Sequence, residues 1–328
     1  MEYRELGKSG LRVPVVSFGG WAAGGWCWGG TDDANAIRAI QCGIDRGITC
    51  VDTAPMYGMG HGEEVVGKAL AGRRDKVVLA TKCGLRWDTE EGDLFFETRD
   101  LNGEVKTIHR HLGAAAIKWE CEQSLLRLNV DVIDLYQCHF PVESTPIHES
   151  MGALLELRQE GKIRAFGVSN FQAGMLAECL KTADIVSLQP RYSALDRRVE
   201  EEVLPFCIEH NLGILAYSPI EQGLLSGKVT VDREFSETDD RRYSHLFSNE
   251  NRQKILDMLE RVRPIAEGHD ATFAQLFVAW LVAQPGVTTA IVGARNEAQV
   301  VENARAGEIK LSDEEIAEIR AQVEALDW

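Results

Sequence analysis

Eight short apolar runs, at residues 15–19, 48–52, 77–81, 133–138, 163–168, 184–188, 213–217 and 288–292, alternate along this chain with longer segments of helical periodicity. Runs this short and this apolar read as strands buried on both faces, the pattern of a parallel sheet with helical crossovers. Eight of them is the number that closes a (β/α)8 barrel. Ahead of the first, Tyr3-Arg4-Glu5-Leu6, Gly7-Lys8-Ser9-Gly10 and Leu11-Arg12-Val13 read as a β-hairpin around a glycine-containing turn. Among the helical segments, Met151, Leu154 and Leu155 show the spacing of one buried face, and Gly161 supplies a left-handed stop. The last helix is marked by Ser312 and Glu315 as a capping box and Leu311 and Ile316 as a staple. Its apolar stripe is Ile316, Ile319, Val323 and Leu326.

With 328 residues the chain exceeds a typical domain, yet barrels of this kind reach such a length as one unit. No Pro- or Ser-rich linker divides it, so residues 1–328 are expected to form a single domain. Eight cysteines, at 27, 42, 50, 83, 121, 138, 179 and 207, show no CxxC spacing and fall partly inside apolar runs. They read as reduced, mostly buried thiols. Strand alternation points Cys138 toward the helices, and Trp280, in an apolar helical run, reads as core. A formal net charge of −16 argues against a nucleic-acid partner, which needs a basic face. The longest strongly apolar stretch, Leu276 to Ala283, is too short to span a bilayer. Met1 to Glu5 lacks the charged and apolar regions of a secretory signal, so a cytoplasmic protein without a membrane partner is expected. His109 and His111, near the start of a helical segment, have no third ligand in view, and no metal is assigned.

Asp52, Tyr57, Lys82 and His139 each lie at or just past the C-terminal end of one of the apolar runs, where a barrel keeps its catalytic groups. Singly they have bland readings: a turn aspartate, a loop aromatic, a structural histidine. Lys82 is harder to dismiss, because a lysine at the end of an apolar strand needs an acid. Together they make a proton-delivery device. A phenol is a poor acid at neutral pH, but a neighbouring ammonium favours the phenolate, so Lys82 is expected to lower the pKa of Tyr57. Asp52 could hold Lys82, and His139 could orient a substrate oxygen. No nucleophile is required, which points to a carbonyl whose electrons come from a nicotinamide.

Two connections after strands, Cys83 to about Lys106 and Ser218 to about Asn249, are long enough to wall or cover a pocket. Trp26 or Trp28, in the glycine-rich stretch after the first strand, could form an apolar wall for substrate or merely anchor the loop. Trp87 carries the same pair of readings. No G-x-G-x-x-G follows a strand, and Gly223 to Lys228 fails as a P-loop because Val229 stands where Ser or Thr is needed. Phosphates would therefore bind the loops after the late strands and the nearby helix N-termini. Arg241-Arg242 could touch a cofactor phosphate from the second long connection, but reads as a solvated charge pair.

Asp52-Thr53-Ala54-Pro55-Met56-Tyr57-Gly58, Thr81-Lys82, Asp134-Leu135-Tyr136-Gln137-Cys138-His139, Gly167-Val168-Ser169-Asn170-Phe171 and Gly293-Ala294-Arg295 resemble, in order, the motifs of the aldo-keto reductase superfamily. The appearance is closest to the bacterial general-stress and inositol-type reductases. The resemblance implies that the hairpin plugs the barrel floor, that Tyr57 is the acid, and that NADP(H), with NAD(H) possible, is the cofactor. It implies that Ser169, Asn170 and Gln189 hold the carboxamide and Tyr217 stacks on the nicotinamide. Ser218, Leu224, Ser226 and Lys228 would line the pyrophosphate, and Gly293, Ala294, Arg295, Gln299, Glu302 and Asn303 the adenosine end. Many members carry a lysine and an arginine where this chain has Gly293 and Gln299, which leaves Arg295 as the local cation for a 2′-phosphate. Many also fold a long C-terminal loop over the substrate, whereas here the last helix is followed directly by Trp328. The partner implied is a small carbonyl compound, polyol or sugar, with the oligomeric state open. Potassium-channel β-subunits resemble the same family, so a cofactor-binding regulatory subunit is the alternative reading.

Overall fold

A computed structural model describes residues 1–26, 32–235 and 239–328. The strands, in chain order, are β1 (Tyr3–Glu5), β2 (Arg12–Pro14), β3 (Val16–Gly19), β4 (Cys50–Asp52), β5 (Val78–Cys83), β6 (Leu85–Arg86), β7 (Asp93–Arg99), β8 (Val105–Arg110), β9 (Ile133–Cys138), β10 (Ile163–Ser169), β11 (Ser187–Gln189), β12 (Gly213–Tyr217) and β13 (Val287–Gly293). Eight of them close a barrel in the order β3-β4-β5-β9-β10-β11-β12-β13, and every pair within it is parallel. These are the eight apolar runs, with ends shifted by a few residues. The fold is the (β/α)8 barrel.

Alternation along each strand sorts the side chains into two cores. Val16, Phe18, Val51, Leu79, Tyr136, Phe166, Leu188 and Ile214 face outward and pack with the helices. Cys138 joins them, as alternation requires. Cys50, Ala80, Leu135, Ala165, Leu215 and Ile291 face inward and form a second cluster with Leu6 and Val13 of the β1–β2 hairpin. The hairpin thus seals the barrel floor. One step of two residues further along the same inward faces come Asp52, Lys82, Gln137 and Tyr217, so the strands that pack the floor also present the polar groups at the open end.

The last helix, Asp313–Glu324, carries the Ser312–Glu315 capping box; Ile319 and Val323 are buried, while Leu326 falls beyond it. Trp280 is fully buried, its Nε1 donating to Ile316 O at 3.2 Å. Gly161 adopts φ +75°, closing the helix Ile147–Gln159. No described helix is long and apolar enough to cross a membrane.

The connection after β5 is not a loop. It is a three-stranded antiparallel sheet in the order β6-β8-β7. His109 therefore lies in β8 and His111 just past it, not at a helix start; the helix begins at Ala114. The ladder between β7 and β8 slips between Leu94 and Phe96, leaving Phe95 as an extra residue in a β-bulge. The second long connection is a chain of 3-10 turns, Glu221–Ser226, Asp240–Tyr243 and His245–Phe247, leading into the helix Asn249–Gly268.

Candidate active site

At the open end of the barrel, Lys82 Nζ donates to Asp52 Oδ2 at 2.7 Å, to Thr53 O at 3.0 Å and to the Tyr57 hydroxyl at 3.2 Å. Those bonds use all three ammonium hydrogens. Lys82 is fully buried and Asp52 nearly so, so the charges are paired and hydrogen-bonded, as burial demands. Tyr57 stands in a tight turn, held by Tyr57 N to Ala54 O at 3.1 Å and Gly62 N to Tyr57 O at 2.8 Å. A Cβ on either Gly24 or Gly62 would lie 2.8 Å from the Tyr57 carbonyl oxygen. Glycine at these two positions lets the segment after β3 and the first turn of the helix His61–Leu70 close on the tyrosine backbone, which accounts for part of the glycine-rich stretch after β3.

Burial pushes the Tyr57 phenol above its ordinary value of 10.0; Lys82 pulls it down, and Asp52 offsets part of that pull. The expected lowering is therefore overturned in net direction, because the sequence displays the ammonium but not the enclosure. Burial disfavours the Lys82 ammonium, yet Asp52 and Tyr57 outweigh it and its pKa is raised. Burial, helped by Lys82, holds His139 well below 6.5. At neutral pH the site contains a protonated phenol, an ammonium and a neutral imidazole.

These groups face a cavity of about 480 Å³ whose lining includes Asp52, Tyr57, His139 and Trp26. The same cavity touches Ser169, Asn170, Gln189, Tyr217, Ser218, Ser226, Lys228, Gly293, Ala294, Arg295, Gln299, Glu302 and Asn303. Ser169 Oγ donates to Gln189 O at 2.8 Å, Asn170 Nδ2 to His139 O at 3.0 Å, and the Tyr217 hydroxyl to Asn170 Oδ1 at 2.9 Å. Lys82 lies behind the lining. Leu224 packs into the main core and Trp87 against the small cluster of Met56, Leu85 and Ile108, so neither lines the cavity. Trp28 falls outside the described residues.

Two further arginines line the cavity, Arg241 against its favoured reading and Arg233 without one. Arg241 is no solvated charge: its side chain is 11% exposed, pairs with Asp239 at 2.6 Å and donates to Gln222 O at 3.1 Å. Arg233 joins it, its pKa lowered by burial and by Arg241, Arg295 and Arg252. A crowd of guanidinium groups in a chain of net charge −16 is what a polyanion site requires. The only sequence signal was arginine inside a long post-strand connection. Nearby, Ser218, Glu221 and Gln222 all hold positive φ, 56°, 45° and 50°, each costing about 1–3 kcal/mol. Fully buried Glu221 pins this turn by pairing with Arg191 and accepting from Ser193 Oγ at 2.7 Å.

At the opposite end of the cavity the rings form a closed circuit. Tyr57 meets Trp21 at 6.3 Å between centroids, Trp21 meets Trp26 at 6.2 Å, and Trp26 meets Phe96 at 6.3 Å. Phe96 meets Phe95 at 4.9 Å and Phe95 meets Phe140 at 5.1 Å; Phe140 meets His139 at 5.4 Å, and His139 returns to Tyr57 at 6.0 Å. The bulge at Phe95 brings two consecutive residues of β7 to the same cavity, against the alternation of a regular strand.

The arrangement is a closed barrel with a buried Lys-Asp pair behind a cavity-lining phenol. The sequence of residues 15–324 matches the model of the Aldo/keto reductase family. The chain is 37% identical over 303 residues to the aldo-keto reductase YhdN of Bacillus subtilis (strain 168), covering 92% of this chain and 87% of that protein. It is 36% identical over 332 residues to the NADH-specific methylglyoxal reductase of Escherichia coli (strain K12), with 98% of each covered. Among solved structures, the glycerol dehydrogenase AKR11B4 from Gluconobacter oxydans superposes with a TM-score of 0.88 at 36% identity, over 98% of this chain and 94% of that one. An aldo/keto reductase from Klebsiella pneumoniae in complex with NADP and acetate does so at 0.71 and 32% identity, over 96% and 92%. The chain belongs to the aldo/keto reductase family.

Proposed function

We propose that the protein interconverts an aldehyde or ketone and its alcohol with NADP(H), NAD(H) being accommodated less well, and that Tyr57 is the general acid and base. The observation that carries this reading is the hydroxyl of Tyr57, facing the cavity while bonded at 3.2 Å to a fully buried ammonium. The Klebsiella relative holds NADP, and the cluster of Arg233, Arg241, Arg295 and Lys228 suits its phosphates, with the strained turn from Ser218 to Gly223 beside them. Ser169, Asn170, Gln189 and Tyr217 would hold the nicotinamide end, and Gly293, Ala294, Gln299, Glu302 and Asn303 the adenosine end. Bound there, the reduced nicotinamide supplies the hydride for the carbonyl carbon.

The chain's own residues manage the oxygen. Neutral His139 donates a hydrogen bond that aligns the carbonyl. Tyr57 gives its proton as negative charge grows on that oxygen. Lys82 stabilises the phenolate left behind, and Asp52 keeps Lys82 charged; fixed donors aimed at developing charge supply much of the rate gain.

In Tyr57→Phe, NADPH binding followed by fluorescence should be retained and carbonyl reduction should fall by about 10²–10⁴-fold. Reduction at the parent rate would overturn the assignment of the acid. Cofactor binding by the parent without turnover of any carbonyl would favour a regulatory, non-catalytic role.

A further inference from the structure

We propose that the substrate carries a flat apolar or aryl group beside its carbonyl, and that Phe95 and Phe96 are the residues that select it. This rests on the carbonyl-reduction reading and names the substrate class for the same cavity.

Charge is divided sharply along the cavity. Lys228, Arg233, Arg241 and Arg295 line the end assigned to phosphates. Around Tyr57 and His139 the wall is the closed aromatic circuit. Of its two indoles, that of Trp26 donates to Thr98 Oγ1 at 3.1 Å. A sugar or polyol entering here would strip water from several hydroxyls and find few partners, each unpaired hydroxyl weakening binding about tenfold. An aryl group gains from every ring face and edge it meets.

The β7–β8 hairpin is built for this wall. Leu94 is 66% exposed, and in a regular strand Phe95 and Phe96 would face opposite ways; the bulge gives up ladder pairing and brings both to the cavity. The bulged strand is braced from outside. Arg110 lies over the Phe95 ring at 5.0 Å, and Asp93 Oδ2 accepts from Glu143 N at 2.9 Å, tying the hairpin to the segment that carries Phe140. Both phenylalanines remain partly exposed, so their contacts are completed by whatever enters. Glycerol and methylglyoxal, named for two relatives, are too small and polar to complete them.

The test pairs two aliphatic aldehydes, 3-phenylpropanal and glyceraldehyde, with NADPH. The parent should prefer 3-phenylpropanal by at least about 30-fold in kcat/KM, and Phe95→Ser and Phe96→Ser should each lower that ratio about tenfold. Unchanged NADPH fluorescence titration in the variants shows that they are folded. Equal use of the two aldehydes by the parent, or an unchanged ratio in both variants, overturns the proposal. Unreactive amides separate it from the reading beneath it. Followed by tryptophan fluorescence, 3-phenylpropanamide should bind the NADP⁺ complex at least about tenfold more tightly than glyceramide. Equal binding overturns the selectivity, whereas tight aryl binding with neither aldehyde reduced overturns only carbonyl reduction.

Discussion

Gln189 donates its side-chain amide, at 2.8 Å, to the Asp52 oxygen that Lys82 leaves free. The same glutamine lines the cavity, so one side chain touches both the ligand space and the buried ion pair. Gln189→Leu leaves half of a buried carboxylate without a donor and should lower the unfolding free energy by about 1–3 kcal/mol. Urea unfolding of parent and variant measures it. An unchanged midpoint would mean that Asp52 finds another donor.

The pH dependence of carbonyl reduction follows from the two cavity-facing groups. His139 stays neutral down to well below pH 6.5, and Tyr57 keeps its proton beyond pH 10.0. Single-turnover reduction should therefore be level from about pH 7 to 9 and fall only on the alkaline side, as the phenol loses the proton it must give. A rate limb centred near pH 6.5 would show an imidazole titrating as if exposed.

Glu120 is buried behind β5, with both carboxylate oxygens accepting from Gly84 N at 3.1 Å. Burial raises its pKa from 4.5 to about 8, against the pull of that amide and Arg86. Between those two values the unfolded chain has released the proton and the folded chain has not, so stability falls as the pH rises. Above about 8 both states are ionised and the loss levels off. Glu120→Gln cannot ionise, and its stability relative to the parent should improve by about 4 kcal/mol between pH 5 and pH 8.5 in urea unfolding. A difference that does not change with pH would place an ordinary carboxyl at this position.

Arg295→Ala should weaken NADP⁺ binding about tenfold more than NAD⁺ binding, because a charge-assisted bond to a 2′-phosphate is lost only from the former. Isothermal titration with both nucleotides decides. Equal losses would assign that phosphate to Arg233 or Arg241.

The barrel was legible because its strands are covered on both faces and so appear as continuous apolar runs; even β4, only three residues long, stood inside a longer one, and β11, equally short, overlapped the end of another. Asp52, Tyr57, Lys82 and His139 were legible for the complementary reason, as polar residues where such runs stop. The β6-β8-β7 sheet was not. Its strands are half-exposed, carry charge, and at Phe95 break the alternation by which a strand is recognised. Arg241 was misjudged because a loop arginine looks the same whether it meets water or, as here, Asp239 and the Gln222 carbonyl. The direction of the Tyr57 shift escaped for a related reason: proximity of an ammonium is written in motif spacing, and depth is not.

Leu6 and Val13, set into the lower end of the barrel, leave it with one doorway. The cavity and the seal are thereby handed to opposite poles of a single set of strands. Apolar exchanges at the sealed pole can retune how firmly the molecule holds together while the polar groups at the cavity, a few residues along the same strands, are left undisturbed.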